Sequence, residues 1–314
     1  MKEKIISSIL MTAFLLMAAC SSHKTPPEQE PQLSEEELRL MHASRIDSSY
    51  VLSLQQPDSI AHWEGLDTLT AEAWILVEDA TGMLISAKNA HQRMYPASLT
   101  KMMTCLLATE HNQLLDDTIE ITKDVYVTRD CRVRLGDSYQ AVHLLSEMML
   151  LSDNVAAYAL ARHIGGDTLS FCQMMNSKAA YLGMDSTHFA NPNGLPNDSN
   201  YSTARDLLTL ARYSMCDTTF ARIVATPFMD IPLTDGRHLP CKNTNILLQD
   251  YDGCIGVKTG YTRKAGSCLA SAATRNGVTL FLILLKSKDY ARRFAESAAL
   301  LDYGFRVMEK YKNW

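Results

Sequence analysis

Ser98 stands three residues ahead of Lys101 in MYPASLTKMMTCLLATE, residues 94–110, and Pro96 just before them marks a helix start. Residues i and i+3 share one face of a helix, so the Lys101 amine is within reach of the Ser98 hydroxyl. A serine is a strong nucleophile only when a base takes its proton, and a lysine is a base only after losing its own. Desolvation and a second cation nearby both push a lysine toward the neutral amine. The same Ser-x-x-Lys spacing recurs from Ser21 to Lys24 in a stretch that reads as a tether. The spacing alone therefore does not separate a catalytic pair from a solvated helix face. Two more fragments follow in order, Ser152-Asp153-Asn154 and Lys258-Thr259-Gly260. Lys258 supplies the second cation. A strand ending in glycine lets an extended substrate lie beside it and offers an N–H to a developing oxyanion.

The elements that must position these fragments are partly legible. Ala73–Glu78 is apolar and β-favouring, Asp79-Ala80-Thr81-Gly82 is turn chemistry and Met83–Ala87 runs back, which predicts a hairpin. Apolar residues at three-to-four spacing in AVHLLSEMMLL and NVAAYALARHIGG predict two helices, the second closed by Gly165-Gly166. Ser152-Asp153-Asn154 falls between them. After the loop NPNGLPNDSNYS, Thr203 and Asp206 have capping-box spacing. CIGVKTG, GSCLASAAT and VTLFLILLK predict three strands, the first carrying Lys258. From Tyr290 a last helix is expected to carry Phe294, Ala298, Leu301 and Phe305 on one face. The sheet thus draws strands from both ends of the chain around a helical insert.

The 314 residues are 46% hydrophobic and 21% charged, with a formal net charge of -5. That is globular composition, enough for one large domain or two small ones, and without a basic run it excludes nucleic acid as a partner. Lys2 and Lys4 precede an apolar run from Ile5 to Ala19, too short to span a bilayer comfortably, which reads as a signal peptide over residues 1–19. LMAAC, ending in Cys20, resembles a bacterial lipobox, although Met17 stands where leucine is usual. Lipidation of Cys20 is the expectation and plain cleavage nearby the alternative; both export the chain. TPPEQEPQLSEEELRL suits a solvated acidic tether over residues 20–67, ahead of a globular domain over 68–314. Removing Cys20 from eight cysteines leaves an odd number, so at least one thiol stays free or pairs between chains. Export permits a disulfide between Cys241 and Cys254. Cys105 reads as core, the nine histidines fall in no motif, and no metal site or cofactor is expected.

The three fragments in this order are the signature set of penicillin-binding proteins and class A β-lactamases. With LLLSDNVAAYALARHIGG, NPNGLPNDSNYSTARDLL, GVKTGYTRKAGSCLASAA and LLDYGF, the chain resembles the serine-type D-alanyl-D-alanine carboxypeptidases, the low-molecular-mass penicillin-binding proteins, over roughly residues 70–306. The resemblance implies an α+β transpeptidase/β-lactamase-like fold, a mostly antiparallel sheet covered by helices, with an α-helical lobe forming the other cleft wall. By position it implies that Ser98 attacks the carbonyl of a terminal D-Ala-D-Ala bond while Lys101 takes its proton. Ser152 relays that proton to the leaving amine, and Asn154 hydrogen-bonds the substrate amide and Lys101. Lys258 and Thr259 hold the terminal carboxylate, and the backbone N–H groups of Ser98 and Tyr261, flanking Gly260, hold the oxyanion. Asp153 is expected to shape the loop, Arg205-Asp206 to be a buried or capping pair, and Tyr261 to act through its backbone. Thr244 falls where some members carry an arginine that helps hold the substrate. The partners implied are peptidoglycan stem peptides, β-lactams as covalent inhibitors, and the membrane through Cys20, which would replace the C-terminal membrane foot of many members; the protein would face the periplasm or cell wall.

Three rival readings share these motifs. A class A β-lactamase needs a glutamate between the second and third motifs to activate the deacylating water, and none lies between Glu147 and Glu296. A D,D-endopeptidase acting on peptidoglycan cross-links uses the same motifs and stays open. A non-catalytic binder of wall peptides or β-lactams would keep the fold while lacking turnover.

Overall fold

The computed structural model describes residues 64–128 and 131–312. The expected signal peptide, Cys20 and residues 20–63 of the expected tether lie outside the described residues. In chain order, β1 is Ala73–Glu78, β2 Leu84–Lys88, α1 Lys101–Glu110, β3 Thr118–Glu120 and β4 Ser138–Gln140. Four helices follow, α2 (Ala141–Leu151), α3 (Asn154–Gly165), α4 (Thr168–Tyr181) and α5 (Ala204–Ser214), then α6 (Thr218–Val224). The hairpin β5 (Phe228–Pro232) and β6 (His238–Lys242) and the short α7 (Leu247–Asp250) precede β7 (Cys254–Thr262), β8 (Gly266–Arg275), β9 (Val278–Ser287) and α8 (Tyr290–Lys312).

Strands from the two ends of the chain build one antiparallel sheet in the order β2-β1-β9-β8-β7, as expected. Its centre is apolar on both faces because successive side chains of a strand point to opposite sides. Ile75 and Val77 of β1, with Phe281, Ile283 and Leu285 of β9, join the core shared with the helices of the middle segment. Trp74 and Leu76, with Leu280, Leu282 and Leu284, join the core against α8, where Phe294, Leu301 and Phe305 are buried and Ala298 packs against them. Truncating a fully buried leucine such as Leu282 to alanine would cost about 2–5 kcal/mol.

Helix α1 is unlike its neighbours. Lys101 to Thr109 are all buried. A helix enclosed on every side is a core element, and this one starts with a lysine. The two helices expected around Ser152 form as α2 and α3, and Gly166 caps α3 with φ +79. Thr203 caps α5 by accepting from the Asp206 N–H at 3.0 Å. The reciprocal half of a capping box is replaced, because the Asp206 carboxylate accepts instead from Ser186 N and Thr187 Oγ1. The expected Cys241–Cys254 disulfide is not formed: both thiols are free. Each has its own local acceptor, Leu239 O for Cys241 and Gly256 O for Cys254. Cys105 is core, as expected.

Candidate active site

The expected helix start at Ser98 is a tighter turn than the spacing suggests. Ala97–Thr100 is a 3-10 turn and Lys101 opens α1. Ala97 takes φ +49, an uncommon backbone for a residue with a side chain, and Ser98 follows it. Two other segments press on this turn. A Cβ on Gly194, whose φ is +84, would run into the Ala97 carbonyl oxygen. A Cβ on Gly260 of β7 would stand 3.2 Å from Pro96 O and 3.3 Å from Leu99 N. Glycine at these two positions lets the nucleophile turn sit between the Asn191–Gly194 loop and the edge strand.

The Lys101 amine donates to Ser98 Oγ at 3.0 Å, to Asn154 Oδ1 at 2.9 Å and to Asn193 O at 2.7 Å. An ammonium has three N–H bonds and all three are used here. Two of the acceptors are carbonyl oxygens that cannot donate, so a neutral amine keeps N–H bonds to Asn154 and Asn193 and turns its lone pair to the hydroxyl. The geometry thus aims the basic electron pair at Ser98. Burial brings the Lys101 amine down to about 7, against the opposing pull of Asp153 and Glu147. That is the range in which a lysine serves as general base near neutral pH.

The second fragment lies where expected, between α2 and α3. Ser152 ends α2 in the left-handed conformation, φ +64. Asp153 caps α3, its Oδ1 accepting from Val155 N at 2.8 Å and Ala156 N at 3.1 Å, while Oδ2 accepts from Arg132 N at 2.6 Å. Asn154 is thereby fixed as the first residue of α3, its amide oxygen on Lys101. The third fragment rides β7 at the sheet edge. Lys258 is buried and lies close enough to Lys101 and Arg293 for burial, then those two charges, to hold its amine well below the usual lysine range. The one acceptor at its Nζ among the described residues is Thr259 O at 3.1 Å. Thr259 Oγ1 is 2.7 Å from Thr244 Oγ1, and Thr244 N donates to Leu150 O, which ties β7 to the end of α2. Tyr261, next to Gly260 on β7, is 64% exposed.

Three neighbours escaped the sequence reading of the site: Asn193, Arg293 and Glu147. Asn193 enters through a backbone carbonyl, which side-chain chemistry does not advertise, although NPNG is a turn signal. Its loop is docked on α1 by Thr104 Oγ1 donating to Pro192 O at 2.6 Å. Arg293, buried on α8 over the rings of Tyr290 and Phe294, donates from Nη1 to Gly260 O at 3.1 Å and braces β7. Thr244, already singled out in the sequence, gains in Thr259 a partner that spacing does not show. Glu147 lies fully buried within range of Lys101 and Asp153. Among the described residues no group of three or more His, Cys, Asp or Glu side chains could hold a metal ion.

Comparison with known proteins agrees with this geometry. The family profile of D-alanyl-D-alanine carboxypeptidases matches residues 59–289. The chain belongs to the D-alanyl-D-alanine carboxypeptidase family. It is 35% identical over 243 residues to the D-alanyl-D-alanine carboxypeptidase DacB2 of Mycobacterium tuberculosis, covering 76% of this chain and 83% of that relative. The Streptomyces K15 DD-transpeptidase crystal structure superposes with a TM-score of 0.71 at 34% identity, over 76% of this chain and 98% of that one. The D-alanyl-D-alanine carboxypeptidase DacD from Francisella tularensis gives a TM-score of 0.71 at 30% identity, over 81% and 74%. The chain spans 64% of the length of DacF from Bacillus subtilis, a relative 29% identical. As in the family, the chain is a serine peptidase with an α+β fold. No helix among the described residues is long and apolar enough to cross a membrane.

Proposed function

We propose that the protein removes the terminal D-alanine from peptidoglycan stem pentapeptides through an acyl-enzyme on Ser98. The Lys101 contact set is the observation that carries this reading, since it leaves the amine one partner able to give up a proton. Neutral Lys101 takes the Ser98 proton as Oγ bonds to the carbonyl carbon of the penultimate residue. The oxyanion is held by the N–H groups of Ser98 and Tyr261. On collapse the C–N bond breaks, and the proton passes through Ser152 to the leaving D-alanine amine. Asn154 holds the substrate amide, and Lys258 with Thr259 holds the terminal carboxylate, a charge-assisted contact that favours free C-termini. Water then releases the shortened peptide.

β-Lactams would acylate the same oxygen and leave slowly, because no glutamate between Glu147 and Glu296 is available to activate a deacylating water. Purified protein given a pentapeptide ending in D-Ala-D-Ala should release D-alanine, and fluorescent penicillin should label wild type but not Ser98→Ala. Fast steady-state hydrolysis of benzylpenicillin would assign the protein to the β-lactamases instead. Cleavage of cross-linked muropeptide dimers with monomers left intact would make it an endopeptidase, and neither labelling nor D-alanine release would make it a binder.

The basic start, the apolar run and LMAAC support export with a lipid on Cys20, which would hold the enzyme at a membrane facing the periplasm or cell wall. Cys20→Ser should move the protein from the membrane to the soluble fraction; unchanged partition would remove the anchor.

A further inference from the structure

Glu147 is a buried, site-proximal carboxyl that the mechanism does not use. It stands on α2, five residues before Ser152, with no exposed surface. Neither of its carboxyl oxygens meets an N–H or O–H donor among the described residues. Its neighbour is the Asp153 carboxyl. Two carboxylates cannot bond one another, so a hydrogen bond between these side chains requires that one of them hold a proton. Asp153 already accepts from three backbone N–H groups, at Val155, Ala156 and Arg132, which makes it the acceptor of the pair.

We propose that Glu147 keeps its proton at neutral pH and donates it to Asp153, which makes it a positioning residue for the Ser152–Asn154 turn and for Lys101. Burial first, then the Asp153 charge, hold the Glu147 carboxyl well above the usual carboxylate range, with Lys101 and Arg132 pulling the other way. The titratable groups facing it are Asp153 before α3, Lys101 on α1, Arg132 in the β3–β4 loop, Tyr139 on β4 and Cys241 on β6. Burial holds the phenol and the thiol neutral, Cys241 being pushed up to about 12, so the charges on it are Asp153, Lys101 and Arg132.

Two consequences follow for the reaction, and both rest on the proposed role of Lys101 as base. The donated hydrogen bond fixes Asp153, which caps α3 and so places Asn154 on the Lys101 amine. The proton also limits the negative charge behind Lys101 to one. A second carboxylate there would hold Lys101 protonated to higher pH and shut off the base.

Glu147→Gln keeps a neutral donor of the same shape, and Glu147→Met removes the donor. Penicillin acylation of E147Q should stay within about threefold of wild type, with the midpoint of the acidic limb unmoved. E147M should acylate about tenfold or more slowly, because Asp153 loses a partner. A midpoint in E147Q lowered by about one pH unit would show that Glu147 is ionised and overturn the proposal. So would E147M acylating as fast as E147Q, which would leave Glu147 a volume filler. Infrared spectroscopy reads the proton without turnover: wild type should show a protonated-carboxyl stretch that E147Q lacks, and its absence would overturn the proposal. If wild type took no label while the infrared band persisted, the assignment of Lys101 as base would fail and the proton on Glu147 would stand.

Discussion

Two buried lysines lie near one another, and the fold treats them differently. Lys101 sits at the head of a helix enclosed on all sides and has its three N–H positions matched by Ser98, Asn154 and Asn193. Lys258 sits on an edge strand with Thr259 O as its one acceptor among the described residues. Burial of a lysine costs free energy unless its donors are met. The first lysine is met by the protein and tuned to about 7, which suits an internal base. The second is left short of partners, which suits an amine whose complement arrives as a substrate carboxylate. Placement, more than residue type, separates the two proposed roles.

The comparison breaks most sharply at Lys101. Lys101→Ala should lower the penicillin acylation rate on the order of 10³-fold while leaving the protein folded, as followed by labelling kinetics and thermal melting. An effect of only a few fold would make the two lysines equivalent. Next in size, Lys258→Ala should weaken processing of a D-Ala-D-Ala peptide by about 10–100-fold. The same variant should hardly alter a peptide with an amidated C-terminus, so comparing the two peptides isolates the carboxylate contact. Equal losses on both would assign Lys258 to general electrostatics.

Smaller effects sharpen the picture. Gly260→Ala forces a Cβ to 3.2 Å from Pro96 O, tighter than van der Waals contact, and should cost about 1–3 kcal/mol in melting or activity as the Ser98 turn shifts. Thr244→Val removes the 2.7 Å bond to Thr259 and should reduce kcat/KM several-fold, about 1 kcal/mol, with Lys101-dependent acylation by small β-lactams less affected.

How much of this was legible depends on whether a residue acts through its own side chain in a local pattern. Ser98 and Lys101, the turn at Ser152 and the strand carrying Lys258 each have a short-range signature, so their elements were readable, as were β1, β9 and the buried face of α8. The β5–β6 hairpin carried no such signal, since Pro232 and Pro240 remove ladder donors and argue against strands; a two-stranded ribbon tolerates them because each strand has a free edge. Asn193 acts through its backbone and Arg293 through a contact spanning 33 residues of sequence, so neither leaves a local mark. The capping box at Thr203 was half right because tertiary partners at Ser186 and Thr187 outcompete the Thr203 N–H for Asp206. The Cys241–Cys254 pairing failed because proximity in sequence says nothing about which way two thiols face.

The central claim is that Lys101 works as a neutral amine on Ser98, and the pH dependence of Ser98 acylation tests it most directly. A lysine whose amine is lowered to about 7 is protonated and inert below that pH and free to accept a proton above it. Acylation by a β-lactam, with the adduct mapped to Ser98 by peptide mass analysis, should therefore rise with pH through a midpoint near 7 and then level off. A rate that keeps climbing toward about pH 10, where an ordinary lysine titrates, or an adduct on another residue, would contradict the account.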